Sequence, residues 1–262
     1  TPICCKRSQQ LSSRYRVGWH LLQAPLFFLL LGAIWEFSVH ALDIRSYLLP
    51  PPSAVFQALW QSRALLWTEG LVTLEEVLWG FAWAVLVGIA ISGLIYSAPI
   101  ARRTIYPLVI ALQGIPKVAL APLIIVWAGY GLLSKVIMVF LFALFPIVIS
   151  TLGGLNSTPD HLTEHFRALR ASPWFTFRHL RLPVALPYFL DGCKVALPLA
   201  VIGAVVGEFV GSSKGLGNLI LFATSAGKTD LTFATLIAVT AISLILFSLI
   251  EVLERLVWWR SK

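Results

Sequence analysis

"NSTPDHLTEHFRALRASPWFTFRHLRLP", residues 156–183, separates two long apolar runs, and its reading decides the fold. Thr158, Pro159 and Asp160 make a helix start: a capping hydroxyl, proline at the first helical position and an acid in the first turn. Leu162, Phe166 and Leu169 then recur at helical spacing, while His161, Glu164, His165 and Arg167 occupy the other sides. This predicts a short amphipathic helix from about Pro159 to Leu169. An apolar stripe flanked by charge needs a cover. Membrane headgroups can supply one, and so can a groove on a partner protein that takes helix anchors at i, i+3, i+4 and i+7.

The flanking chain is a membrane chain. Of 262 residues, 58% are hydrophobic and 12% charged, and the mean hydropathy is +0.84; an ordinary soluble domain carries about twice that charged share. Six apolar stretches, 21–42, 71–97, 105–129, 133–154, 184–211 and 231–256, are long enough to cross the bilayer, which takes about 20 helical residues. The first follows Lys6, Arg7, Arg14 and Arg16 in the outline of a signal peptide, but no small-x-small cleavage site follows it, so it reads as a retained span. Arg102 and Arg103, then Arg167, Arg170, Arg178 and Arg181, then Arg255, Arg260 and Lys262 fall on the same side as the basic N-terminus. The opposite loops hold Asp43, Arg45, Arg63, Glu69, Lys135, Lys214, Lys228 and Asp230, a thinner set closer to neutral. The positive-inside rule then places both termini in the cytoplasm. The formal charge of +8 is thus a topology signal and calls for no nucleic acid. Cys4, Cys5 and Cys193 show no metal-ligand spacing and read as free thiols.

Two spans are interrupted. The third carries "QGIPKVALAP", Gln113 to Pro122, and the fifth carries Pro187, Pro198, Asp191, Lys194 and Glu208. Backbone groups freed by such breaks are tolerated at membrane depth only where protein or a water-filled cavity satisfies them. Gln113, Lys117, Asp191 and Glu208 are therefore candidates to line a pathway. The alternative is that Lys194 pairs with Asp191 at i,i+3 and that Lys117 snorkels.

Three motifs suggest other chemistry. "HLTEH", residues 161–165, sets His161 and His165 one helical turn apart with Glu164 between them, the H-x-x-E-H pattern of some zinc proteases. A membrane metalloprotease would need a third ligand and a cavity for metal and water; the downstream glutamates are Glu208, Glu251 and Glu254. "AGKTD" at 226–230 has Phe222 where a phosphate-binding loop requires its first glycine. "GLGNLI" at 215–220 lacks the third glycine of a dinucleotide turn.

The loop resembles the cytoplasmic "EAA" loop of the membrane-spanning subunits of ATP-binding-cassette importers, Glu-Ala-Ala, three residues, Gly, nine residues, Ile-x-Leu-Pro. Glu164 matches the Glu, and Leu180, Leu182 and Pro183 match the closing motif; His165 and Phe166 replace the alanines and Arg170 the glycine. "LLPPPSAVFQAL", "GIPKVALAPLIIVWAGYG" and "GEFVGSSKGLGNLI" are similar to the nitrate, sulfonate and taurine branch, so the likeness runs from about residue 21 onward. It implies an all-α polytopic inner-membrane permease of the type I importer fold. Its parts would be a cytoplasmic segment 1–20, a first helix with an external amphipathic segment over 21–70, a core over 71–256 and a tail over 257–262.

The resemblance further implies a homodimer, two cytoplasmic ATPase subunits that grip the loop 155–183, and a binding protein outside. ATP and Mg would sit on the partner subunit, with no cofactor on this chain. The coupling contacts would fall on Leu162, Glu164, Phe166, Arg167, Leu169, Arg170 and Pro183. The cargo would be a small anion such as a sulfonate, nitrate or bicarbonate, or alternatively a neutral or heterocyclic solute such as a pyrimidine precursor.

Overall fold

The computed structural model describes the backbone of residues 26–258 and the side chains of residues 26–256. The expected N-terminal segment 1–20, the start of the first span and the end of the tail lie outside the described residues. Among the described residues every regular element is helical.

Helix α1, Leu26–Ala41, is the described part of the first expected span. Extended Pro51 launches α2, Pro52–Gln61. The next helix departs from expectation. Instead of an external segment ending at residue 70 and a span from residue 71, α3 starts at Arg63 and runs unbroken to Ser97. No proline interrupts those 35 residues, which at 1.5 Å per residue extend about 50 Å, well past a ~30 Å hydrocarbon core.

The third expected span is two helices. α4, Pro99–Gln113, ends where Gly114 and Pro116 interrupt the ladder; a single 3-10 turn, Lys117–Leu120, leads into α5, Ala121–Ala128. The two arms are bent by 89°. α6, Leu132–Asn156, follows. Beyond it lie α7, Asp160–Ala168, and α8, Pro173–Thr176, which passes through a π turn, Phe177–Arg181, into α9, Leu182–Gly211. The chain closes with α10, Leu216–Ser225, and α11, Thr229–Trp258.

By length and apolarity, α3, α6, α8–α9 and α11 can each cross a membrane, and the bent pair α4–α5 makes a fifth crossing if counted as one; α1 is shorter over its described residues. The core lies where α6 packs between α3 and α9, around Val77, Ala84, Val139, Ile147, Ala196 and Ala200. Small residues permit this contact. A methyl at Gly80 would fall 2.4 Å from Val139 Cβ, so α3 meets α6 backbone to side chain, as in tightly packed membrane helices. The outer surface is apolar as well: Leu244, Ile245 and Leu249 on α11 are exposed, as a lipid-facing helix requires.

Candidate functional site

The loop 155–183 stands at the end of the bundle where α3 terminates. α7 forms where expected but starts one residue later: extended Pro159 is the cap residue and Asp160 the first helical one. Thr158 does not cap, and its Oγ1 is buried without a hydrogen-bond partner among the described residues. At the other end Ala171 N–H donates to Phe166 O at 3.1 Å and Arg170 N–H to Arg167 O at 3.0 Å, the paired bonds of a Schellman cap. Arg170 holds φ +51° to make them. That is the left-handed region where glycine is favoured, which accounts physically for a glycine at this position of the resembled loop; here the turn forms with arginine.

The stripe Leu162, Phe166, Leu169 is divided. Leu162 and Phe166 are half-buried, and the Phe166 ring lies 6.3 Å from Phe175 of α8. Leu169 stays 67% exposed. Phe166 thus turns in part toward its own chain, and Leu169 is the exposed member of the stripe. His161, Glu164, His165 and Arg167 are exposed, as are Leu169 and Arg170 beyond the helix and Pro183 in the first turn of α9. The Arg181 guanidinium lies 5.1 Å from the Tyr96 ring and Phe177 packs 6.4 Å from it, tying the loop to the last turn of α3.

The four pathway candidates do not form one cluster. Gln113 is exposed at the end of α4, and its carbonyl accepts from Lys117 Nζ at 3.4 Å. That ammonium lies 5.0 Å from the Phe145 ring and 5.9 Å from the Phe142 ring. Asp191 pairs with Lys194 at 3.2 Å, and Lys194 also pairs with Glu254 of α11. Glu208 faces no open route in this chain: it is 0% exposed and enclosed by α3, α9 and α10.

Around Glu208 lies a polar network that the sequence reading misses. The first N–H groups of a helix lack intrahelical acceptors, and those at the start of α10 are met by side chains of other helices. Gly215 N–H donates to Glu69, Leu216 N–H to Thr73 Oγ1 at 2.9 Å, and Gly217 N–H to Glu208. Thr73 Oγ1 in turn donates to Glu208 Oε1 at 2.7 Å. The two glycines of "GLGNLI" serve this approach: a Cβ on Gly215 or Gly217 would sit within 2.7 Å of a Glu208 carboxylate oxygen. Lys135, expected in an external loop, is instead in the first turn of α6, 7% exposed and paired at 2.7 Å with Glu76 of α3. Opposite charges inside two apolar runs were the available signal, because each must find a partner.

Among the described residues no group of three or more His, Cys, Asp or Glu side chains is arranged to hold a metal, so His161 and His165 acquire no third ligand.

Residues 80–259 match the family described as binding-protein-dependent transport system inner membrane component. The chain is 36% identical over 247 residues to a formylaminopyrimidine transport permease protein, ThiX, of Halalkalibacterium halodurans, covering 94% of this chain and 98% of that one. It is 36% identical over 257 residues to a riboflavin transport system permease protein, RibX, of Chloroflexus aurantiacus, covering 97% and 96%. A putative aliphatic sulfonates transport permease protein, SsuC, of Bacillus subtilis is 30% identical over 95% of this chain and 90% of its own. In shape the chain is similar to an inward-facing MetNI methionine ABC transporter, with TM-score 0.64 and 23% identity over 75% of this chain and 98% of that one.

Proposed function

The chain belongs to the inner membrane components of binding-protein-dependent transport systems, and from that premise we propose that α7 is the element through which ATP hydrolysis on a partner drives passage of a small solute. As a permease subunit of an ATP-driven importer it works with a separate ATPase subunit and a substrate-binding protein. ATP and Mg belong to the ATPase subunit. The membrane unit is two copies of this chain, with both termini cytoplasmic and the arginine-rich end bearing α7 turned to the ATPase.

The observation that carries this reading is the division of α7. Phe166 turns in part toward α8, and the polar side, with Glu164, is free at the end of the bundle. A helix fixed to its own subunit and charged on its outer face passes motion in both directions. Glu164 and Arg170 set the register by charge-assisted contacts, and Leu169 supplies an apolar anchor.

For the cargo we infer a small nitrogen heterocycle in preference to a simple sulfonate. The support is the 36% identity over nearly the whole chain to two permeases named for a pyrimidine and a flavin, against 30% for the sulfonate permease. Lys117 and Gln113, at the break between α4 and α5, are the polar groups placed to meet it. Reconstitution with the cognate ATPase and binding protein tests the inference: a pyrimidine ligand should stimulate ATP hydrolysis several-fold. Stimulation by taurine and not by a heterocycle would return the cargo to the sulfonate class.

A further inference from the structure

We propose that the cleft between α7, the π turn and the end of α3 binds the headgroup phosphate of an anionic phospholipid. The cleft encloses about 410 Å³ and is lined by Tyr96, Thr163, Arg167, Thr176, Phe177 and Arg181 among others. Two guanidiniums and three hydroxyl-bearing side chains line one space, with no carboxylate in its lining. Among the described residues neither Arg167 nor Arg181 is in an ion pair. Tyr96 Oη is buried and has no hydrogen-bond partner among the described residues, an unfavourable state for a phenol that an acceptor oxygen would relieve. Arginine forks match phosphate oxygens.

The setting selects a lipid over a free anion. Tyr96 lies in the last turn of a membrane-crossing helix. Trp174, 69% exposed and stacked 5.8 Å from Phe177, is the kind of amphipathic ring that sits at headgroup level. The walls of Phe177 and Pro173 suit the apolar part of a lipid, and Arg102, Arg103 and Arg178 add positive field toward a negatively charged leaflet. The proposal rests on the reading that the α7 end meets the inner leaflet, but its test reads lipid retention and not transport.

The assembled importer, purified in mild detergent with added phosphatidylglycerol or phosphatidylcholine, is examined by native mass spectrometry. The wild-type assembly should retain about one phosphatidylglycerol per permease in preference to phosphatidylcholine. Retention should fall about tenfold in the doubly substituted Arg167→Gln, Arg181→Gln protein, persist in Arg167→Lys, Arg181→Lys, and be unaffected by Lys214→Gln beyond the opposite end of α9. Equal retention of both lipids, or unchanged retention in the double glutamine variant, overturns the proposal. Displacement by millimolar inorganic phosphate would identify a free-anion site, and loss of lipid only when the ATPase is bound would assign the cleft to that interface; either result overturns it as well. Intact assembly by size-exclusion chromatography separates loss of the site from loss of fold.

Discussion

Lys135 Nζ stands 2.7 Å from Glu76 Oε1, an ion pair that joins α6 to α3 inside the bundle. Removing one partner leaves an uncompensated buried charge, which costs about 3–5 kcal/mol, whereas replacing both with apolar residues of similar volume is far less harmful. Glu76→Leu alone and Lys135→Met alone should each lower the thermal midpoint of the purified assembly sharply. The double variant should recover most of the loss. A double variant as unstable as the sum of the singles would show that the pair is not the source of the coupling.

Gly217 admits no side chain. An added Cβ would lie 2.7 Å from both Glu208 Oε2 and Val205 O, and forcing atoms into packed space costs about 1–3 kcal/mol. Gly217→Ala should therefore destabilise the protein and loosen α10, visible as faster hydrogen exchange over residues 215–225. Gly153→Ala on α6, where an added Cβ meets nothing within 4 Å, should be neutral or stabilising by up to about 1 kcal/mol. Equal losses at the two sites would contradict the packing account.

Arg170 pays conformational energy for its left-handed φ. Arg170→Gly should relieve about 1 kcal/mol of backbone strain and slow proteolysis of the loop, if cleavage tracks local opening. Faster cleavage would mean that contacts of the arginine outweigh the strain.

Lys117 has two aromatic rings and a carbonyl around it, and no acidic partner among the described residues. Lys117→Ala should cut solute uptake in proteoliposomes at least fivefold, by loss of a charge-assisted contact worth about 1 kcal/mol or more, with little change in thermal midpoint. Wild-type uptake would leave it a snorkelling residue.

Much of this was legible because bilayer length and helical periodicity are local signals. Pro116 and Pro122 marked the break at α4–α5, and Leu162 and Phe166 marked α7. Relationships across the bundle were not legible. Lys135 follows the turn Gly129–Gly131, so a linear reading left it outside, while its partner is 59 positions away in another helix. Phe166 has the spacing of a docking anchor, and nothing local says that its ring turns in part toward Phe175. The glycines of "GLGNLI" resembled a fragment of a nucleotide loop; their reason, the approach of Glu208, is visible only in three dimensions.

The coupling claim rests on the outward carboxylate of α7, and charge reversal tests it most directly. In proteoliposomes holding the permease, its ATPase and the loaded binding protein, Glu164→Lys should lower solute uptake about tenfold or more, since losing a charge pair across an interface costs roughly 2–5 kcal/mol. ATP hydrolysis should at the same time cease to respond to the loaded binding protein. Uptake and stimulated hydrolysis at wild-type levels in Glu164→Lys would contradict the account.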